Sequence, residues 1–358
     1  MAWLLSRFRA GDIVEVRGKE EILLTLDPRG RLDGMPFMPE MLQYCGKRFR
    51  VGAVAHKTCD MVAHLGTSRR LQTTVHLAGL RCDGLAHGGC QAECNLFWKD
   101  EWLKPADDER SDPAGPAATR KADTSGCTEA QLRANTRQSP GAEGDEPRYS
   151  CQATRMYEAT LPLAWWDARQ YVFDVVTGNH STLRVLRVLF LASLRRVLER
   201  VPFGYRLFKA FHDFMHLWLS GRPAPSLNAR IPDGVQTPTG RHDFKSGDYV
   251  RIKAQTEIEQ TLNRKSRNRG LTFDSEEMAP YCGRIVKVRR SVTKIIEEPT
   301  GKVLHMKEPC IMLDGVVCNA EYARCRLNCP RAIPAFWREI WLERVEDDRR
   351  PNDAPARQ

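Results

Sequence analysis

Residues 77–103 read LAGLRCDGLAHGGCQAECNLFWKDEWL, and residues 313–342 read LDGVVCNAEYARCRLNCPRAIPAFWREIWL. Both stretches open on Leu-x-Gly-x-x-Cys, the ending of a strand, and pass through a Cys-x-x-x-Cys pair. Both finish on Phe-Trp and then Trp-Leu, where the aromatic pair is expected to open a short helix. The cysteines correspond as Cys82, Cys90 and Cys94 against Cys318, Cys325 and Cys329. A fourth pair, Cys45 and Cys282, lies upstream inside a shared Tyr-Cys-Gly. Four thiols retained in each of two diverged stretches suit a closed tetrahedral metal site, the arrangement that d¹⁰ zinc accepts without ligand-field cost.

The correspondence extends outward. Gly11-Asp12-Ile13-Val14-Glu15-Val16 alternates apolar and polar residues as a half-buried strand does, and Gly247-Asp248-Tyr249-Val250-Arg251-Ile252 repeats it without a gap. Thr25-Leu26, Gly34, Phe37 and Glu40-Met41 return in order as Thr261-Leu262, Gly270, Phe273 and Glu277-Met278. Such ordered self-similarity predicts a duplicated module. Within each copy, short strands with small helical inserts predict a compact SH3-like β-barrel. In the first copy a short helix is expected over residues 20–26, a helical turn over 38–44, and strands over 47–56 and 70–77.

The chain has 358 residues, 42% hydrophobic and 28% charged, which is ordinary for globular domains. No apolar run is long enough for a spanning helix, and Ser6 and Arg7 interrupt the apolar start, so a cytoplasmic location is expected. Thiols stay reduced there, and twelve cysteines then point to metal rather than disulfides. An iron–sulfur cluster is the alternative metal group, but the spacing matches none of the ferredoxin patterns.

The expected organisation is α+β. A first module spans 1–104 and a disordered linker 105–150, rich in Pro, Gly, Ala and charge, with Cys127 as a bystander. An amphipathic helical segment follows over 151–222, then a linker over 223–246, the second module over 247–346 and a disordered tail over 347–358. The net charge of +10 is uneven: +1 over 11–104, −3 over 105–150, +6 over 151–246 and +4 over 247–346. Basicity therefore belongs to the centre and to the second module.

The residues Tyr44–Val51 (YCGKRFRV), His56–Asp60 (HKTCD) and Cys82–Cys94 (CDGLAHGGCQAEC) resemble a bacterial family of duplicated cysteine-rich small β-barrel modules. The resemblance implies the modular fold and implies no activity.

Other constellations carry narrower expectations. Cys59, outside the predicted metal ligands, could serve as a nucleophile with His56 or His87 as base, and His87 could replace one cysteine at the metal. His212-Asp213-Phe214-Met215-His216 sets two imidazoles one helical turn apart but supplies an aspartate where metalloproteases use glutamate. The loop carrying Arg264, Lys265, Arg267 and Arg269 could contact nucleic-acid phosphates. Arg184, Arg187, Arg195, Arg196 and Arg200 on a cationic helix could meet a membrane surface. The expected function is a zinc-binding scaffold or accessory protein, with two structural four-cysteine sites and a macromolecular, most simply protein, partner. An enzyme built on Cys59 and a nucleic-acid-binding second module are the alternatives.

Overall fold

The computed structural model describes residues 3–60, 67–106, 126–138, 146–200, 204–232, 234–321 and 327–345. Cys325, the tail from residue 346 and most of the predicted linker lie outside the described residues. The fold is mixed α+β with antiparallel sheets, and contacts divide the chain into two units. The first comprises Met1–Val185, Lys294–Leu304 and Arg324–Arg331, and the second holds the remainder.

The first unit is built on a five-stranded sheet: β1 Ile13–Val16, β2 Arg48–Val54, β3 Thr74–Arg81, β4 Asn95–Lys99 and β5 Leu103–Pro105, in the order β4-β3-β2-β1-β5. Alternation in β1 turns Val14 and Val16 inward, where both are fully buried. Helix α1, Lys19–Thr25, starts where the Glu21 carboxylate accepts from the Gly18 amide at 2.8 Å, as a capping box requires. The hairpin Arg31–Leu32/Met35–Pro36 turns on Asp33 and Gly34 at φ +48° and +79°. Two successive positive φ angles match the right-handed strand twist, and Asp-Gly tolerates them.

Phe97 and Trp98 do not open a helix. They lie in β4, where Val75 pairs with Trp98, and the helical turn begins only at Asp100. Aromatic side chains fit a pleated, half-buried surface, and here they stack on the core: Phe37 meets Trp98 and Trp102 edge-on at 6.1 and 5.1 Å.

Described residues of the predicted linker also enter this unit. Thr128 caps helix α2, Glu129–Ala134, and both Cys127 and Leu132 are buried in the main core. Cys127 is therefore a core residue. Helix α3, Arg169–Val176, brings Asp174 against Lys57, Nζ to Oδ2 at 2.7 Å, and against His56, Nε2 to Oδ1 at 3.2 Å; all three are buried. Residues 294–304 and 327–331 contribute as well: the Gln91 amide donates to the Lys294 carbonyl at 3.1 Å, and Arg331 pairs with Glu298 at 2.6 Å.

The second unit repeats the sheet with β6 Tyr249–Ile252, β7 Ile285–Ile296, β8 Val303–Val317, β9 Pro334–Trp337 and β10 Leu342–Arg344, ordered β9-β8-β7-β6-β10. Phe273 meets Trp337 and Trp341 as Phe37 meets Trp98 and Trp102. The indole of Trp341 donates to Thr261 Oγ1 at 2.8 Å, and that of Trp102 to Thr25 Oγ1 at 3.1 Å. This unit also carries α4 Thr182–Leu198 from Leu186 onward, α5 Tyr205–Ser220 and α6 Gln255–Glu259. Among the described residues no helix is long and apolar enough to cross a membrane.

Candidate metal centre

The candidate centre forms where the connection between β3 and β4 folds over the turn Pro39–Tyr44. Pro39 sits at the first position of that 3-10 turn, where its missing N–H costs nothing, and Glu40 follows it into the interior. Cys82 stands just past β3, held because its amide donates to the Cys94 carbonyl at 2.9 Å. The chain then doubles back at Gly84. The His87 and Gly89 amides both donate to the Gly84 carbonyl, at 3.1 and 3.0 Å. A Cβ at Gly84 would lie 1.9 Å from the Cys90 carbonyl oxygen, so only glycine fits. This turn carries His87 back over Cys82.

Among the described residues, Glu40, Cys82 and His87 form the one group of three His, Cys, Asp or Glu residues whose ligand atoms lie within 4.8 Å of one another. Cys82 Sγ is 3.4 Å from Glu40 Oε1 and 3.3 Å from His87 Nε2, and His87 Nδ1 is 3.6 Å from Glu40 Oε1. Glu40 Oε2 and His87 Nδ1 are buried with no hydrogen-bond partner. A buried polar atom left so is costly, which marks the pair as donors suited to a cation.

The electrostatics point the same way. Burial pushes the Glu40 carboxyl up to about 7 and raises the Cys82 thiol strongly, while it lowers His87 to about 4. Without a cation the three donors are therefore favoured in their neutral forms. The charged neighbour acting on both Glu40 and His87 is Asp83, which is negative. A divalent ion would displace the thiol and carboxyl protons and meet all three donors at once.

Of the eight cysteines expected as ligands, Cys82 alone belongs to this group. Cys94 and Cys90 lie on the same connection. Cys94 is pushed up to about 12 by burial, and Cys90 Sγ accepts from the Ile296 amide at 3.3 Å. Cys45 is placed elsewhere: the charges it feels are Glu20 and Lys19 of α1. Cys282 correspondingly feels Glu259 of α6. Cys329 is buried, and Cys325 lies outside the described residues. The eleven described cysteines are free thiols.

The second unit keeps half of the arrangement. Glu277 and Cys318 hydrogen-bond to one another as Glu40 and Cys82 do. Glu277 Oε2 then accepts from the Asn319 and Ala320 amides, at 2.8 and 3.2 Å, while its Oε1 is buried without a partner. The expected equivalence of Cys94 with Cys329 is not kept by the strands, because the Cys318 amide donates to Ile333. The Phe-Trp pair sets the ladder register, and it stands three residues after Cys94 but seven after Cys329.

Glu40 is the member of the group that cysteine counting does not reveal. Its signal is the recurrence of Glu-Met ahead of Tyr-Cys-Gly in both copies. His87, weighed as a replacement for one thiol, is the histidine in the group.

The other singled-out residues are engaged elsewhere. Cys59 is buried and accepts from Arg331 Nη1 at 3.7 Å, while the ring nitrogens of His56 meet Asp174, the Gln170 carbonyl and the Val54 carbonyl. Cys59, His56 and His87 thus belong to three different hydrogen-bond sets. His212 pairs with Asp213 at 3.0 Å, and His216 meets the Arg222 carbonyl at 2.8 Å. Arg264, Lys265 and Arg267 are exposed around an Asn263 side chain that accepts from two loop amides, and Arg269 pairs with Glu308 at 3.6 Å. Arg187 pairs with Glu321 at 3.0 Å and Arg195 with Glu276 and Glu199. Arg184 and Arg196 are half-buried, and Arg200 is exposed.

No family model and no curated protein matches the chain.

Proposed function

We propose that this is a zinc-binding accessory protein in which one ion, held by Glu40, Cys82 and His87, fastens the β3–β4 connection to the Pro39–Tyr44 turn. The observation that carries the reading is the donor geometry. Zinc bonds of about 2.0–2.3 Å at tetrahedral angles set ligand–ligand edges of about 3.3–3.7 Å. Cys82 Sγ stands 3.4 Å from Glu40 Oε1 and 3.3 Å from His87 Nε2, and one ligand atom from each of the three residues lies within 4.8 Å of the others. Thiolate, imidazole and carboxylate together are a zinc donor set, whereas an iron–sulfur cluster draws on several thiolates and this group holds one. The buried side chains favour a structural ion over one open to substrate. The fourth position is left to water or to Cys94, which lies on the same connection outside the group.

The two sheets, in this reading, are copies of one SH3-like module of the cysteine-rich bacterial family, and only the first retains an ion. A scaffold or accessory role then follows, with a macromolecular partner held by the modules. The exposed Arg264, Lys265 and Arg267 support a second reading, in which that partner is nucleic acid; steep salt dependence, removed by reversing these charges, would identify it.

Elemental analysis of the purified full chain tests the metal. One zinc per chain is expected, reduced by Cys82→Ser, Glu40→Gln or His87→Asn and retained in Cys318→Ser and Cys45→Ser. Cys94→Ser separates a thiol fourth ligand from water. Metal-free protein, or two ions lost with Cys45 and Cys282, would overturn the proposal.

A further inference from the structure

Helix α5 is built inside out. Lys209, Asp213, His216 and Ser220 recur at three- and four-residue intervals and so share one stripe. That stripe contains the buried residue of the helix, His216, whose Nδ1 meets the Arg222 carbonyl at 2.8 Å and the Ser220 hydroxyl at 3.1 Å. The opposite stripe is apolar and faces outward: Leu207 is 76% and Trp218 69% exposed, and Phe211 and Phe214 are exposed between them. Helix α4 buries Val185, Val188 and Leu191 in the ordinary way but leaves part of its apolar surface outside. Its Arg187 and Arg195 turn to Glu321 and Glu276, while Leu186, Phe190 and Val197 remain exposed. Ordinary amphipathic helices of soluble domains bury the apolar stripe and expose the polar one.

We infer that α5 lies in the surface of an anionic lipid bilayer with its Leu207–Phe211–Phe214–Trp218 stripe submerged. Its sixteen residues make about 24 Å of helix, short of the roughly 30 Å of a hydrocarbon core, so the helix rests in the plane of the membrane. Phenylalanine and tryptophan along one side suit the boundary between headgroups and acyl chains. Charge selects the headgroup. Exposed Arg200 and Arg206 precede or open the helix and exposed Arg222 follows it. The one carboxylate in the helix, Asp213, is already bonded by Lys209 and His212. A positively flanked apolar stripe meets phosphatidylglycerol better than a zwitterionic surface. This inference is independent of the metal centre.

Co-sedimentation of the full chain with vesicles tests it. The protein should pellet with phosphatidylcholine–phosphatidylglycerol vesicles and much less with phosphatidylcholine alone. Phe211→Glu and Trp218→Glu, both at exposed positions, should each weaken pelleting on the order of tenfold while circular dichroism is unchanged. Arg206→Ser and Arg222→Ser should each weaken it about fivefold on anionic vesicles only. Absence of pelleting with either vesicle overturns the inference. Equal pelleting with both overturns its anionic component. A dimer in solution that Phe211→Glu converts to monomer, with no vesicle binding, would overturn it in favour of a second copy covering the stripe.

Discussion

The two sheets share a frame and differ in what one connection does. In both, a phenylalanine is packed edge-on by two tryptophans, an indole donates to a threonine, and a two-residue turn with positive φ closes a small hairpin. In both, a glutamate meets the cysteine that follows β3 or its counterpart β8. The first then folds His87 over that pair and leaves Glu40 Oε2 and His87 Nδ1 without partners; the second gives Glu277 Oε2 two backbone amides and leaves Oε1 without one. The second connection, residues 319–333, holds no histidine to stand over its pair. The frame therefore brings a glutamate and a cysteine together in both sheets, and the connection that follows β3 or β8 decides whether an imidazole joins them.

The largest test of that difference is removal of the ion. Chelation should destabilise the first sheet on the order of 10 kcal/mol and leave the second unchanged, read by hydrogen exchange of peptides from each. Equal loosening of both would erase the distinction. The shared frame predicts the opposite symmetry: Trp102→Ala and Trp341→Ala should each cost about 3–5 kcal/mol, each within its own sheet, by denaturant titration. The buried Lys57–Asp174 pair belongs to the first unit, and Lys57→Met alone should cost about 3–5 kcal/mol there. Adding Asp174→Leu should recover most of that loss, because the stranded charge is then gone.

Acid should separate the sheets next. Burial lowers His76 to about 4 from 6.5, with the nearby Arg331 and Arg81 adding to the effect against a hydrogen bond to the Leu96 carbonyl. A neutral histidine in the fold contributes stability that is complete above pH 6.5 and is lost as pH falls toward 4. The loss amounts to roughly 3 kcal/mol. Opposite Phe336, the second sheet has Met312 where the first has His76 opposite Phe97, and methionine does not titrate. His76→Met should reduce the acid response of the first unit without abolishing it, because burial also lowers His87 and His180 to about 4; melting at about pH 4.5 and about pH 7 measures the change. The smallest effect is shared again: Thr25→Val and Thr261→Val, each removing the acceptor of a buried indole N–H, should cost about 1 kcal/mol apiece.

Much of the frame is legible in the residues. Gly-Asp followed by alternating apolar residues marks the first strand of each sheet, and α1 and the Pro39–Tyr44 turn fall within a residue or two of expectation. The misreadings have physical causes. Phe97-Trp98 resembles a helix start when taken with Trp102-Leu103, yet cross-strand packing against Val75 makes it strand. Cys94 and Cys329 match in spacing from their neighbours, but register follows the aromatic pair. Residues 126–134 are polar in composition, and only tertiary contacts show that Cys127 and Leu132 reach the core. The metal group is half visible: Cys82 and His87 stand in one loop, whereas Glu40 joins them across 42 positions.

The first unit has a consequence for biosynthesis. The Gln91 amide finds its acceptor on Lys294, Tyr149 on Gly301, and Arg331 closes on Glu298. A ribosome that has delivered everything through residue 185 has still not supplied these partners. The unit whose translation starts first must wait until Arg331 has emerged before its structure can be finished.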